Sequence, residues 1–242
     1  MDILISESNA ILILVIYYFA FISVLILLKL FSSLSREIIR KSYHFFYGVS
    51  LALAIYLFDN WYIILAFLIG FYLIAFIYIK IENQYLSFKL IDFDRRDTTF
   101  DDNRELNKQL RYLFVMQVFL IVVFMAIIDR PEAAIFGTVV WAVGDAFAGL
   151  IGKYFGRNRF NNFIFSKKKS LQGSLAFLFS GFFSLIILTL IMPDFLLDIY
   201  FIFKIFLITV VATIVEAISR DGLDTITVPL VAAAVFSILF RF

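Results

Sequence analysis

The chain reads as an all-α, polytopic integral membrane protein, a helical bundle of about eight transmembrane segments, on three observations. Hydrophobic residues make up 63% of the 242 positions and the mean hydropathy is +0.97, well beyond the roughly half-apolar composition of soluble domains. Apolar runs of near membrane-spanning length recur along the chain with short polar breaks between them. Lys and Arg gather in alternate breaks, as they do when loops are sorted to one side of a bilayer.

A span needs about 17 to 25 residues to cross the hydrocarbon layer. Runs that approach or meet this length lie at 10–31, 43–58, 61–80, 112–128, 132–152, 171–192, 195–218 and 226–242, the second and last being short. The first run follows a segment with Asp2 and Glu7 and no basic start, which predicts a retained helix and not a cleaved leader. Tight turns are expected at Asp59-Asn60, at Asp129-Arg130-Pro131-Glu132 and at Pro193-Asp194.

The connector 82–110 mixes Asp92, Asp94, Asp97, Asp101 and Asp102 with Arg95, Arg96, Arg104 and Lys108, and reads as a solvated or interfacial loop, with a lid or a lipid-surface contact as its functional alternative. Asp101 or Asp102 is placed to cap a helix that continues through Arg104 and Arg111 into the fourth span. With no internal repeat or low-complexity tract, residues 1–242 are expected to form a single transmembrane domain.

Cysteine is absent, which excludes disulfides and thiolate metal sites, and the one histidine, His44, excludes zinc sites built on two or more imidazoles. The net charge of +2 says little; its placement says more. Lys29, Arg36, Arg40, Lys41, the basic residues from Lys80 to Arg111, those from Lys153 to Lys169, and Arg220 fall on one side, whereas Arg130 and Arg241 fall on the other. The positive-inside rule puts the long loops in the cytoplasm and both termini outside. Lys204 and Asp198 fall in or beside the seventh span, away from the basic loops, and are expected to be structural.

The stretch from Val143 to Ser174 carries the strongest chemical signal. If Val143 to Gly156 is helical, Asp145, Gly149, Gly152 and Gly156 share one face, a glycine groove with a carboxylate at its deep end. Ala148, Gly152 and Gly156 also make a small-xxx-small series suited to helix packing. An Asp in a membrane segment costs at least about 2.5 kcal/mol, which marks Asp145 as functional. The loop beyond it, with Lys153, Arg157, Arg159, Lys167, Lys168 and Lys169, suits a polyanion held over that carboxylate, although such residues also signal topology.

Two further constellations lie on the same side. Glu37, Lys41, His44 and Gly48 share a helical face with Arg40 beside them; a boundary helix with snorkelling cations explains Arg36 but not the deeper His44. Thr213, Glu216 and Arg220 share another face, followed by Asp221 and Asp224 around a glycine turn. Asp145 and the carboxylates from Glu216 to Asp224 are of the type that binds Mg²⁺ together with substrate phosphates. The structural alternative pairs Glu216 with Arg220. A soluble-type phosphate loop, G-x-x-x-x-G-K-[ST], is absent.

Taken in order, R-K-x-x-H (Arg40 to His44), G-D-A-x-A-x-x-x-G-x-x-x-G (Gly144 to Gly156), K-K-S-x-x-G-S (Lys168 to Ser174), A-T-x-x-E-A (Ala212 to Ala217) and D-x-x-T-V-P-L (Asp224 to Leu230) resemble the polyprenol kinase family, which includes dolichol, phytol and farnesol kinases and a CTP-dependent diacylglycerol kinase. The resemblance covers about Glu37 to Leu230. It implies transfer of a phosphoryl group from a nucleoside triphosphate, usually CTP, to the hydroxyl of an isoprenoid or acyl lipid, with Mg²⁺ as cofactor. It assigns metal or phosphate-site acid roles to Asp145 and Glu216, with Asp224 as a further metal ligand. Lys169, Lys168, Arg40 and Lys41 would hold phosphates, the segments around Gly149, Gly152, Gly156, Ser170 and Gly173 would admit the nucleotide, and His44 would orient the substrate or a carboxylate. The chain departs from its relatives at Asp224-Thr225, where Asp-Asn is common.

The implied partners are a lipid alcohol, a nucleoside triphosphate and membrane lipids, with no nucleic acid; the pattern does not specify oligomeric state or the alcohol. A membrane cytidylyltransferase and an ion-coupled transporter using Asp145 and Glu216 are the alternative readings. The transporter is disfavoured because the polar residues lean to one surface and no repeated halves are evident.

Overall fold

A computed structural model describes residues 2–31, 35–85, 102–160, 165–192, 195–220 and 222–240. These form helices α1 (Asp2–Phe31), α2 (Arg36–Leu57), α3 (Trp61–Tyr85), α4 (Asp102–Phe119), α5 (Pro131–Phe155), α6 (Leu171–Ile191), α7 (Ile199–Ile218) and α8 (Asp224–Leu239). The protein is therefore a polytopic helical membrane protein, as its sequence pattern predicts. Most of the 82–110 connector, Asp101, the Pro193-Asp194 turn and Asp221 lie outside the described residues.

Among the described residues, length and composition qualify α1, α4 with its continuation, α5, α6 and α7 as candidate spans. Among the described residues, the shorter apolar helices Trp61–Ile74 within α3 and Asp224–Leu239 (α8), with α2, which brings Glu37, Arg40 and Lys41 into its first turns, stand for the other three of the expected eight.

The helix ends follow local chemistry. α4 starts at Asp102, as expected, and passes into a π-helical segment, Leu120–Ile127, whose Leu120, Ile121, Phe124 and Met125 are buried. Asp129 then adopts φ 55°, a left-handed turn that aspartate tolerates better than most side chains, and Pro131 opens α5 where its missing N–H has no helical role. Ser170 caps α6 by accepting from Gly173 N, and Asp198 caps α7 by accepting from Phe201 N at 2.6 Å. Between α7 and α8, Gly222 has φ 84°, which favours glycine over any side chain.

α5 is the axis of the bundle. It packs along α6, α2 and α8, and its Phe136, Val140, Trp141 and Ala142 are fully buried. Small residues set these approaches. A Cβ on Gly137 would strike the carbonyl oxygen of Pro229 in α8, one on Gly48 would strike Ala142, and one on Gly173 would lie 3.0 Å from the Ala148 carbonyl oxygen.

One end of this bundle is aromatic. Phe136, Phe195, Phe201, Phe236 and Phe240 stack with centroid separations down to 4.5 Å, and Lys204 lies 4.6 Å above the Phe240 ring. Arg130 Nη1 donates to the Phe240 carbonyl at 3.1 Å, tying the α4 to α5 turn to the end of α8. Lys204 and Asp198 are thus explained by packing and capping. The charged site lies at the other end.

Gly137→Val should lower stability by about 1 to 3 kcal/mol, because backbone of α8 blocks the new side chain. Gly70→Ala, where nothing lies within 4 Å of the added atom, should leave stability unchanged or raise it by up to about 1 kcal/mol. Thermal unfolding in detergent compares the two; equal losses would mean that the α5 to α8 contact is not close.

Candidate active site

At the end where α2 begins, α5 and α7 end, and α6 and α8 begin, a cavity of about 400 Å³ opens. Its wall comes from chain segments more than a hundred residues apart, among them Glu37, Arg40 and Lys41 of α2, Asp145 and Gly149 of α5, Lys169 and Ser174 near the start of α6, Glu216 of α7 and Asp224 of α8.

Two ion-pair groups organise it. Lys41 Nζ donates to Asp145 Oδ2 at 2.7 Å and to the Asp145 carbonyl at 3.0 Å, with both residues buried. Gly149 makes this possible, since a Cβ there would occupy the path of the Lys41 chain. In the second group Lys169 Nζ donates to Glu216 Oε1 and, at 2.6 Å, to Asp224 Oδ2. The other Glu216 oxygen accepts from Ser174 at 3.3 Å.

Burial works against the charge on Lys169, but Asp224, Glu216 and Asp145 outweigh it and hold its pKa above the ordinary lysine value. It remains an ammonium throughout the physiological range. Arg40 makes a forked pair with Glu37, through Nε at 3.2 Å and through Nη2, so its guanidinium is held at the cavity wall.

The loop after α5 is a small hairpin, not a free tail. Arg159 and Ser170 form an isolated antiparallel bridge, Phe160 N bonds to the Lys169 carbonyl at 3.2 Å, and Phe160 stacks on Phe165 at 4.9 Å. Ser166 N reaches the Ala217 carbonyl at 2.9 Å, which docks the hairpin onto the end of α7. Lys169 is thereby aimed inward, while Lys153, Arg159 and Lys168 form an exposed cationic rim.

The expected residues divide as follows. Asp145, Glu216, Lys169, Asp224, Arg40, Lys41 and Lys168 line the cavity, as do Gly149, Gly152, Ser170 and Gly173. Gly152 and Gly173 are also where α5 meets α6, and Ser170 is engaged as a helix cap, so packing and capping account for part of that motif. Gly156 ends α5 against Ser170 Oγ and is not part of the lining. His44 stands one helical turn deeper, its Nε2 3.1 Å from Asp145 Oδ2 but off the angle of a hydrogen bond.

Asp224 Oδ1 accepts from the Thr225 backbone N–H at 3.1 Å, so the main chain orients this carboxylate despite the departure at position 225. Sequence reasoning groups Glu37 with Lys41 and places Lys153 and Arg159 in the basic loop, but misses Ser166, Ser174 and Ser219 as lining groups, although Ser174 lies within the K-K-S-x-x-G-S motif. The hairpin and the pairing partners carry no local signal.

Among the described residues, no three of His, Cys, Asp and Glu gather into a self-sufficient metal cage. The donor set nevertheless suits Mg²⁺ shared with substrate phosphates. Glu216 and Asp224 converge on one ammonium, leaving a net negative charge and hard oxygen donors, and Mg²⁺ commonly takes one or two carboxylates with the rest of its shell from phosphates and water.

These features define a class: a polytopic helical membrane protein that concentrates paired carboxylates, lysines and a cationic rim at one end of its bundle. Within it, the chain is similar to a phytol kinase of Synechocystis sp., with 31% identity over 116 residues, 43% of this chain and 43% of that relative. The match spans less than half the length of the relative. No family model and no solved structure matches the chain.

Lys41→Met should destabilise the protein by about 3 to 5 kcal/mol, because it strands the Asp145 carboxylate. Adding Asp145→Asn should restore much of the loss, as read by unfolding midpoints of the single and double variants in detergent. A double variant no better than the single would argue that the two groups are not coupled.

Proposed function

We propose that the chain is a membrane kinase of isoprenoid alcohols, of polyprenol, dolichol, phytol or geranylgeraniol type, that moves the γ-phosphoryl group of a nucleoside triphosphate to the alcohol hydroxyl. The observation that carries this reading is the convergence of Lys41–Asp145 and Lys169–Glu216–Asp224 on one cavity at the end of an apolar bundle. The similarity to a phytol kinase supports the acceptor class. CTP as donor and Mg²⁺ as cofactor follow from the family resemblance, and the basic-loop bias favours a cavity open to the cytoplasm.

Phosphoryl transfer leaves the protein mostly positioning and charge neutralisation to perform. Lys153, Arg159 and Lys168 at the rim suit the α- and β-phosphates, and Lys169, further in, suits the γ-phosphate. Glu216 and Asp224 would hold Mg²⁺, which when bound offsets the negative charge of the phosphate oxygens. Lys41 holds the Asp145 carboxylate in place at the deep wall. The alcohol oxygen then bonds to the γ-phosphorus and gives up its proton to water, the bond from that phosphorus to the bridging oxygen breaks, and the nucleoside diphosphate leaves with the electron pair.

Incubation of the purified protein with an isoprenoid alcohol and CTP labelled at either the γ or the α position tests this directly. Label should reach lipid from the γ position; transfer from the α position would identify a cytidylyltransferase instead. Asp145→Asn and Lys169→Met should each lower turnover by about 10²-fold or more in protein that stays folded. Changing Lys204, packed at the aromatic end, should alter stability and not turnover.

A further inference from the structure

Of the carboxylates described on the cavity wall, Asp145, Glu216 and Asp224 are gathered by Lys41 and Lys169, and Glu37 is set apart from them. It stands in the first turn of α2, one helical turn before Lys41, and Arg40 is forked onto it through Nε at 3.2 Å and through Nη2. Lys153 of the rim is another cation that acts on it. The pair is built into the wall, with only 9% of the Arg40 side chain and 15% of the Glu37 side chain exposed.

An ion pair spaced i, i+3 on an open helix face contributes a few tenths of a kcal/mol, and enclosing it costs more in desolvation than it returns unless its remaining hydrogen-bonding capacity is used. The chemistry already placed in the cavity does not use it. A phosphate beside Glu37 would meet a negative charge, and the guanidinium on both carboxylate oxygens disfavours a metal ion there. What the pair does offer is a row of fixed polar atoms. Each Glu37 oxygen keeps a lone pair for one further N–H, and the fork leaves Arg40 with Nη1 and one N–H of Nη2, two parallel donors, unused by Glu37.

We propose that Glu37 and Arg40 read the base of the nucleotide donor and select cytosine. The cytosine edge presents an amino group, a ring nitrogen and a carbonyl oxygen in sequence. Glu37 accepts from the amino N–H, and Arg40 donates to the ring nitrogen and the carbonyl. Uracil turns a carbonyl toward the carboxylate and an N–H toward the guanidinium, so both contacts fail. Adenine offers the amino group and one ring acceptor, which leaves the second Arg40 donor unpaired. The assignment rests on the kinase reading above: with the γ-phosphate at Lys169 and the rest of the tail at the rim, the base falls beyond the rim cations, among which Lys153 acts on Glu37. The resemblance gives Arg40 to phosphate; its fork onto Glu37 gives it to the base instead.

Competition against labelled CTP, with the purified chain in detergent and no alcohol present, tests the site apart from turnover. CTP should bind at least about tenfold more tightly than UTP, and by a similar factor more tightly than the triphosphate of the pyrimidin-2-one riboside, which is cytidine without its amino group. In turnover assays Glu37→Gln, whose amide can present either an oxygen or an N–H, should reduce the CTP to UTP ratio of kcat/KM by about tenfold or more. Loss of a merely structural ion pair would lower both values alike and leave the ratio unmoved.

Equal binding of CTP, UTP and the deamino analogue to the unmodified protein, or an unchanged ratio in folded Glu37→Gln protein, would overturn the assignment. Should that variant not fold, the analogue series with the unmodified protein decides alone. Transfer of the γ-phosphoryl group without preference among bases leaves the kinase reading standing and removes the base site. Selective binding of CTP by a protein that transfers no label to any lipid alcohol does the reverse.

Discussion

A carboxylate inside a lipid-embedded bundle must find a cation, and that requirement governs this structure. Asp145, Glu216 and Asp224 lie on three different helices, and the lysines that neutralise them come from α2 and from the hairpin before α6. Each pair therefore joins elements distant in the chain. Removing one member of such a pair leaves a buried charge, which is why these contacts fix the relative positions of helix ends more firmly than apolar packing alone. The glycines serve the same arrangement: Gly149 admits the Lys41 chain, and Gly152 with Gly173 brings α6 close enough for Ser174 to reach Glu216.

The two ends of the bundle are built from different physics. At one, phenylalanines interdigitate, Asp198 caps a helix, Lys204 lies over a ring and Arg130 ties a turn to the end of α8. At the other, the interior is polar and opens into a cavity. Concentrating every buried ion pair of α5, α7 and α8 at a single end keeps the membrane interior apolar while providing a water-facing site, an arrangement suited to joining a polar donor to a greasy acceptor. A transporter would place its charges nearer the middle of the bilayer.

The helical class, the turns at Asp59 and Asp129 and the helix opening at Asp102 were legible because they depend on local patterns: apolar run length, a proline that starts a helix, an aspartate that caps or turns. Most of the candidate site was legible too, since a charged residue in an apolar run is conspicuous wherever it falls. Harder to read was the division of labour among the glycines and serines. Gly152, Gly173 and Ser170 line the cavity, but they also pack and cap helices, and no spacing rule separates those uses.

What the sequence determined by itself was the material: a membrane bundle, a set of acids and bases biased to one side, and a family likeness borne by motifs scattered from Glu37 to Leu230. What only the tertiary structure decided was partnership. Lys41 goes to Asp145 and Lys169 spans Glu216 and Asp224, while His44 is set between Trp141 and the Asp145 carboxylate. Pairing between charges depends on distance in space, falling off over a few ångströms, and helices packed antiparallel bring together residues a hundred positions apart that no one-dimensional pattern relates.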